Sequence, residues 1–490
     1  MSPDRAIVPI ERLTTGNAGL DHILGGGLPA RSVNVIAGEP GAGKTMFALQ
    51  FLFHLARQGK RGLYFTTLSE PAMKLISYMQ QLTFFDAGLI DSMIQFVDLG
   101  ATIRGTDAAR ALERITRQVE DEEPSVVVID SFKAIGDLLG DAARSRAFVY
   151  DLAVHMAGWE ATSLLVGEYL DDELGRLPEF AVADGILRFA NARNELTSVR
   201  EFEVRKLRGA NYIPGRHFFE IGPTGVTFYP RVRAPSEAED ASATTTAQVL
   251  LPTGIAGLDE LMTGGLPRAS ATIVQGPTGT GKTQLGLHYL VEGTRRGESG
   301  ILFTLEETRP QLHAVARHHG WDLAALESQG LLLIGYTAPV ELSTDRFLDE
   351  ARRHVERIGA RRAVLDSLTS MGLGVTSERR FRELVYSITK HFRVAQVTAM
   401  MIMEVPELLG STMLTGHGLS FAADNILQLR YVEVGGTLER GISVLKARGL
   451  RHLTEVRQMR IGTSGIEVGD RYPTLRGVLT GIPWPAEGAR

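Results

Sequence analysis

The chain repeats itself. The segment TTGNAGLDHILGGGLP at 14–29 returns as PTGIAGLDELMTGGLP at 252–267, and AGEPGAGKT at 37–45 returns as QGPTGTGKT at 275–283. Lys44 and Lys282 carry the offset of the whole block (282 − 44 = 238). Later pairs keep it to within a few residues: VVVIDS (126–131) meets AVLDS (363–367), and EVRKLRG (203–209) meets SVLKARG (443–449). Chance does not hold one register over about 200 positions, so each half must fold as its own unit. The length agrees, since 490 residues exceed one ordinary core and suit two domains of roughly 200–250 residues. Between the copies, RVRAPSEAEDASATTTAQVL (231–250) is small, polar and without aromatics, as suits a linker. The expected division is a first domain over 1–235, a linker over 236–250 and a second domain over 251–490.

Within each copy, apolar runs alternate with amphipathic stretches. SVNVIAG, RGLYFTT, SVVVID and ATSLLVGE read as buried strands, with helical patterns at 44–58, 71–80 and 106–120 between them. Continuous apolar strands separated by helices imply a parallel sheet covered on both faces. After residue 184 the period changes: GILRFA, SVREFEVRKL and GVTFYP, and in the second copy NILQLRYVEV, GISVLKA and TEVRQMRI, read as antiparallel strands. The expected fold class is α/β: two tandem P-loop domains, each a mostly parallel twisted sheet flanked by helices, with antiparallel strands at its C-terminal side.

Both copies contain G-x-x-x-x-G-K-T, as Gly38 to Thr45 and as Gly276 to Thr283. In such a loop Gly38, Gly41 and Gly43, and likewise Gly276, Gly279 and Gly281, let successive backbone N–H groups face phosphate oxygens. The helix that follows presents its positive end to the same charge. Lys44 and Lys282 are placed to reach the outer phosphates of ATP, and Thr45 and Thr283 to ligate Mg²⁺. Asp130 and Asp366 end apolar strands, where a carboxylate can hold the metal beside the threonine; the alternative is a cap on the following helix. In the second copy the strand GILFTL runs into Glu306-Glu307, candidates for the base that orients a nucleophile. The first copy has Ser69-Glu70 there, one carboxylate fewer, so the second site is better equipped for chemistry. Glu168 and Glu404, at the ends of later strands, are further acids that reach either the nucleotide or solvent.

In this order, Arg12, Thr15 and Gly16, Leu20-Asp21, the GG-L-P turn, the Walker loops, the strand-end glutamates and K-x-R-G resemble the RecA/DnaB-like ATPases. Within these the chain resembles the KaiC family of double-domain clock ATPases, over about residues 10–480. The resemblance implies RecA-like domains and a homohexamer with ATP between neighbouring chains. It also implies that Lys206 and Arg208, and Lys446 and Arg448, contact the phosphates of an adjacent subunit; read from the residues alone, they are equally well solvated cations on an edge strand. Members of that family phosphorylate a Ser-Thr pair in the second domain and bind a regulatory protein of the KaiB type. Here the pair falls on Ser420-Phe421, so single-site autophosphorylation at Ser420 remains and two-site modification does not.

Composition narrows the alternatives. Net charge is −5, and no dense basic run with interleaved aromatics occurs, which argues against a DNA-directed motor on the same fold. A nucleotide-gated scaffold with little turnover is the other account, encouraged by the missing first-domain carboxylate. Absence of cysteine excludes disulfides and thiolate metal sites. With no apolar run near the ~18 residues of a membrane helix, a cytoplasmic protein without membrane partners is expected.

Overall fold

The computed structural model describes residues 10–67, 72–100, 108–194, 197–231, 233, 249–375, 377–405, 419–434, 436–472, 475–476 and 484–485. The chain divides into two compact units, Met1–Arg231 and Val232–Arg490. In the first, β1 (Val33–Gly38), β2 (Gly62–Thr66), β3 (Ile94–Asp98), β4 (Val126–Asp130), β5 (Thr162–Glu168) and β6 (Gly185–Asn194) run parallel. Strands β7 (Thr197–Leu207), β8 (Arg216–Gly222) and β9 (Gly225–Tyr229) extend the sheet antiparallel. The order is β3-β2-β4-β5-β1-β6-β7-β8-β9.

The second unit repeats the plan with β10 (Ala271–Gly276), β11 (Gly300–Thr304), β12 (Leu332–Tyr336), β13 (Arg362–Asp366), β14 (Thr398–Glu404), β15 (Asn425–Val434), β16 (Thr437–Ala447), β17 (Arg457–Gly462) and β18 (Gly465–Arg471). Its order, β12-β11-β13-β14-β10-β15-β16-β17-β18, matches the first strand for strand. The fold class expected from the sequence is the one observed. Strands β3, β8, β12 and β18 were not among the runs read from sequence.

Helices α1 (Lys44–Arg57) and α2 (Lys282–Arg295) follow the central strands β1 and β10 directly and pack over the sheet. Their apolar faces bury Phe47, Phe51 and Leu52, or Leu285, Tyr289 and Leu290. In the first unit Phe47 joins Phe189, Phe202, Phe219 and Phe228 in one aromatic cluster, so the antiparallel strands and the phosphate-loop helix share a core.

The approach to each Walker loop, repeated in the two copies, has a structural reason. Thr15 donates to Asp21 Oδ1 through both N–H and hydroxyl at 2.8 Å. Thr253 does the same with Asp259, at 2.8 and 2.7 Å. These bonds close a turn before a short helix and the GG-L-P turn.

At one core position the second unit carries an arginine where the first has valine. Arg362, at the start of β13, is fully buried. It donates to Glu298 at 2.6 Å and to the carbonyls of Pro252 and Tyr289 at 2.9 and 3.0 Å, with its guanidinium over the Tyr289 ring. Val126 starts the equivalent strand of the first unit. Removing one partner of a buried, multiply bonded charge strips the others of compensation. Arg362→Ala should therefore lower the unfolding free energy of the second unit by about 3 kcal/mol or more, read by chemical denaturation, while Glu298→Gln, which spares the two carbonyl contacts, should cost less.

Candidate nucleotide sites

Both glycine-rich loops sit between a central strand and its helix, at the C-terminal edge of the parallel strands. Gly43 and Gly281 occupy the N-cap position with φ of 96° and 99°. An L-residue resists that left-handed conformation, and it is what turns the chain from loop into helix with its N–H groups forward. The structure brings Lys44, Thr45 and Asp130 together, and equally Lys282, Thr283 and Asp366.

Thr45 Oγ1 donates to Asp130 Oδ2 at 2.7 Å, and Thr283 Oγ1 to Asp366 Oδ2 at 2.7 Å. The aspartates do not cap the helices that follow; Ser131 and Ser367 stand at those N-cap positions. Lys44 Nζ donates to the Glu39 carbonyl at 2.7 Å and Lys282 Nζ to the Pro277 carbonyl at 2.8 Å. Both ammonium groups are buried, which pushes their pKa down, and nearby acids, Glu168 or Glu404 first among them, push back. Glu168 and Glu404 therefore lie within electrostatic reach of the Walker lysines. A cleft of about 760 Å³ opens beside the first loop, lined among others by Gly41, Lys44, Thr45, Asp130 and Lys133, within the range of small-ligand pockets.

Glu306 and Glu307 follow β11, whose tip pairs with Asp366. Glu306 Oε1 accepts from Ser367 at 2.5 Å and from Ser370 at 2.6 Å. Glu307 is half-buried, and burial and then the charge of Glu306 raise its pKa. Ser69 and Glu70 lie outside the described residues.

Two features at these sites were not read from the sequence. Tyr64 donates its buried hydroxyl to Asp130 Oδ2 at 2.7 Å, whereas Leu302 occupies the matching place in β11. The serines on Glu306 are the other. A tyrosine within an apolar strand and serines after a Walker aspartate carry no distinguishing pattern, so only the fold reveals them.

The K-x-R-G residues lie elsewhere. Leu207 pairs with Gly185, which is level with Asn34, four residues back from Gly38. Ala447 pairs with Asn425, level with Thr272, four residues back from Gly276. At ~3.3 Å per residue these positions are about 13 Å from the phosphate loop along the strand direction alone. Arg208 pairs with Asp184 at 3.3 Å and Arg448 with Asp424 at 3.7 Å. Lys446 Nζ donates to the Ala423 carbonyl at 2.8 Å, and Lys206 is partly buried, which lowers its pKa. One chain does not bring these cations to its own Walker lysine. Ser420 belongs to a single turn of 3-10 helix, Leu419–Phe421, just before β15; its side chain lies outside the described residues.

The KaiC ATPase family model matches residues 13–233 and again 251–472, which covers most of both units. The chain belongs to the KaiC ATPase family. It is 28% identical to the circadian clock oscillator protein KaiC of a Picosynechococcus strain, over 98% of this chain and 94% of that protein. Against the KaiC of Acaryochloris marina it is 29% identical over 98% and 92%, and against that of Parathermosynechococcus lividus 29% over 97% and 88%. Membership makes each unit a nucleotide-binding RecA-like ATPase domain. No helix among the described residues is long and apolar enough to cross a membrane.

Asp366 offers a direct electrostatic check. Burial raises its pKa from 3.8 to about 6, the Thr283 bond opposes the rise, and Glu306 and Glu307 add to it. A carboxyl raised on folding contributes stability below its unfolded pKa and loses it as pH climbs through the folded value. In nucleotide-free protein Asp366→Asn should thus stabilise the second unit at pH 8, by up to about 3 kcal/mol, and do little at pH 4. Denaturation curves at the two pH values measure the difference.

Proposed function

We propose that this chain is an ATP-hydrolysing switch of the KaiC type, whose two sites are each completed by a neighbouring chain in a homohexamer. The observation that carries the reading is the separation within one chain. The Walker lysine, threonine and aspartate gather at one edge of each sheet, and Lys206, Arg208, Lys446 and Arg448 at the other. A head-to-tail ring sets the second edge of one copy against the first edge of the next. Cations arriving there neutralise charge that develops on the transferring phosphoryl group.

On this reading the loop N–H groups and Lys44 or Lys282 bind the triphosphate. The donor sets fit Mg²⁺: a hydroxyl and a carboxylate oxygen held together at 2.7 Å in each copy are hard ligands of the kind that ion shares with phosphates. Thr45 with Asp130, and Thr283 with Asp366, would hold it, and it would supply charge neutralisation at the phosphates. Glu306 takes the proton of the attacking oxygen at the second site, and Glu307, whose pKa burial and the charge of Glu306 raise, is the second carboxyl of the pair. Ser420 is the single phosphoryl acceptor. It precedes β15 at the same sheet edge as Lys446 and Arg448, so its donor is ATP held by the adjoining chain. The named relatives are clock proteins, and we extend that to a signalling role for this one.

Two measurements test the reading. Chains carrying Lys282→Ala and chains carrying Arg448→Ala should each lack second-site turnover, whereas co-expressed mixtures should regain about a quarter of it, the share of interfaces that pair an intact loop with an intact arginine. No recovery in mixed rings would contradict shared sites. Intact mass after incubation with ATP and Mg²⁺ should show one added phosphate that Ser420→Ala removes; an unlabelled chain removes the kinase activity and leaves the ATPase.

A further inference from the structure

The second site holds three hydroxyl groups, those of Thr278, Thr369 and Ser370, whose counterparts the first site lacks. Ser370 Oγ and Ser367 Oγ converge on one oxygen of Glu306, at 2.6 and 2.5 Å. Both serines are buried, 8% and 1% exposed, whereas Glu306 itself is exposed. Thr369, between them in the helix Leu368–Gly374, accepts from the Glu404 N–H at 2.8 Å. The Glu404 carboxylate in turn meets the hydroxyl of Thr278 in the phosphate loop. Two separate hydroxyl clusters therefore flank the site, Ser367 with Ser370 on Glu306 and Thr278 with Thr369 on Glu404.

At the offsets of the duplication, the first copy holds Pro40 for Thr278, Lys133 for Thr369 and Ala134 for Ser370. Lys133 turns instead to Glu173 at 2.8 Å. Three substitutions in one shell thus separate the copies, and all three remove a hydroxyl from the first.

We infer that Ser370 is a positioning residue of the second site, which with Ser367 fixes the carboxylate of Glu306 for proton transfer. The inference rests on Glu306 being the base proposed above. An exposed glutamate samples several rotamers, and only some face the cleft; two buried donors on Oε1 select one and leave Oε2 as the proton acceptor. In hydrolysis the water oxygen bonds to the γ-phosphorus, the bond from that phosphorus to the ADP oxygen breaks, and the water proton passes to Glu306 Oε2. Ser367 also caps the following helix by accepting from the Ser370 N–H at 3.2 Å. Its loss would disturb the backbone. The Ser370 hydroxyl has no capping duty; besides Glu306 it meets the Ser367 hydroxyl at 3.3 Å, so its removal leaves the helix cap in place and acts on the hydroxyls around Glu306.

The test uses the full chain carrying Lys44→Ala, so that turnover reports the second site. Ser370→Ala should lower kcat about tenfold with KM for ATP within about twofold, the pattern of a group that acts on the transition state and not on binding. Ser370→Thr, which keeps the hydroxyl, should restore most of the rate, and Glu306→Gln should fall below both. Unchanged kcat in Ser370→Ala beside an impaired Glu306→Gln would overturn the role of Ser370 and leave Glu306 in place. Full turnover by Glu306→Gln would instead remove the base itself. Phosphate found on Ser370 by peptide mass analysis would also overturn the inference, because the hydroxyl would then be a nucleophile.

Discussion

Each unit is organised around a buried cation. Lys44 and Lys282 are 6% and 9% exposed, and their hydrogen bonds run to backbone carbonyls of their own loops. Burial outweighs the acids nearby, so both ammonium groups are held below their ordinary pKa. A buried charge of this kind is costly unless an anion shares the space. Triphosphate meets that need, together with the forward-facing N–H groups of the helix that each lysine begins. The strand order, the left-handed glycine caps and the packing of α1 and α2 all serve to hold this cation at the sheet edge.

Around that common element the two copies have diverged in different directions. The first adds a hydroxyl to its aspartate: Tyr64 joins Thr45 on Asp130 Oδ2. The second leaves Asp366 with Thr283, surrounds it with Glu306 and Glu307, and spends its hydroxyls on Glu306 instead. One site orients the aspartate beside its phosphate loop and the other a glutamate after the neighbouring strand.

Much of this was legible beforehand, for physical reasons. A duplication in register fixes the number of units, and continuous apolar runs between helices leave little besides a parallel sheet. The phosphate loops are readable because they depend on backbone conformation, which glycine spacing encodes directly. Edge strands β3 and β12 escaped notice because IQFVD and LLIGY are short and half-exposed. Arg362 escaped because a buried arginine looks like a surface one until its partners, 64 and 110 residues away, are placed around it. Tyr64 and Ser370 were hidden likewise, since a hydroxyl's role lies in which carboxylate it faces. The placement of K-x-R-G at the far sheet edge was also beyond the sequence, although it decides whether those cations act on their own chain.

The central claim is that each copy independently grips a triphosphate through its buried lysine. Nucleotide counted per chain by native mass spectrometry, after exchange into Mg²⁺ and ATP, tests it most directly. The account predicts two nucleotides per wild-type chain, one in either Lys44→Ala or Lys282→Ala, and none when both are replaced. Two nucleotides retained by the doubly substituted chain would contradict it.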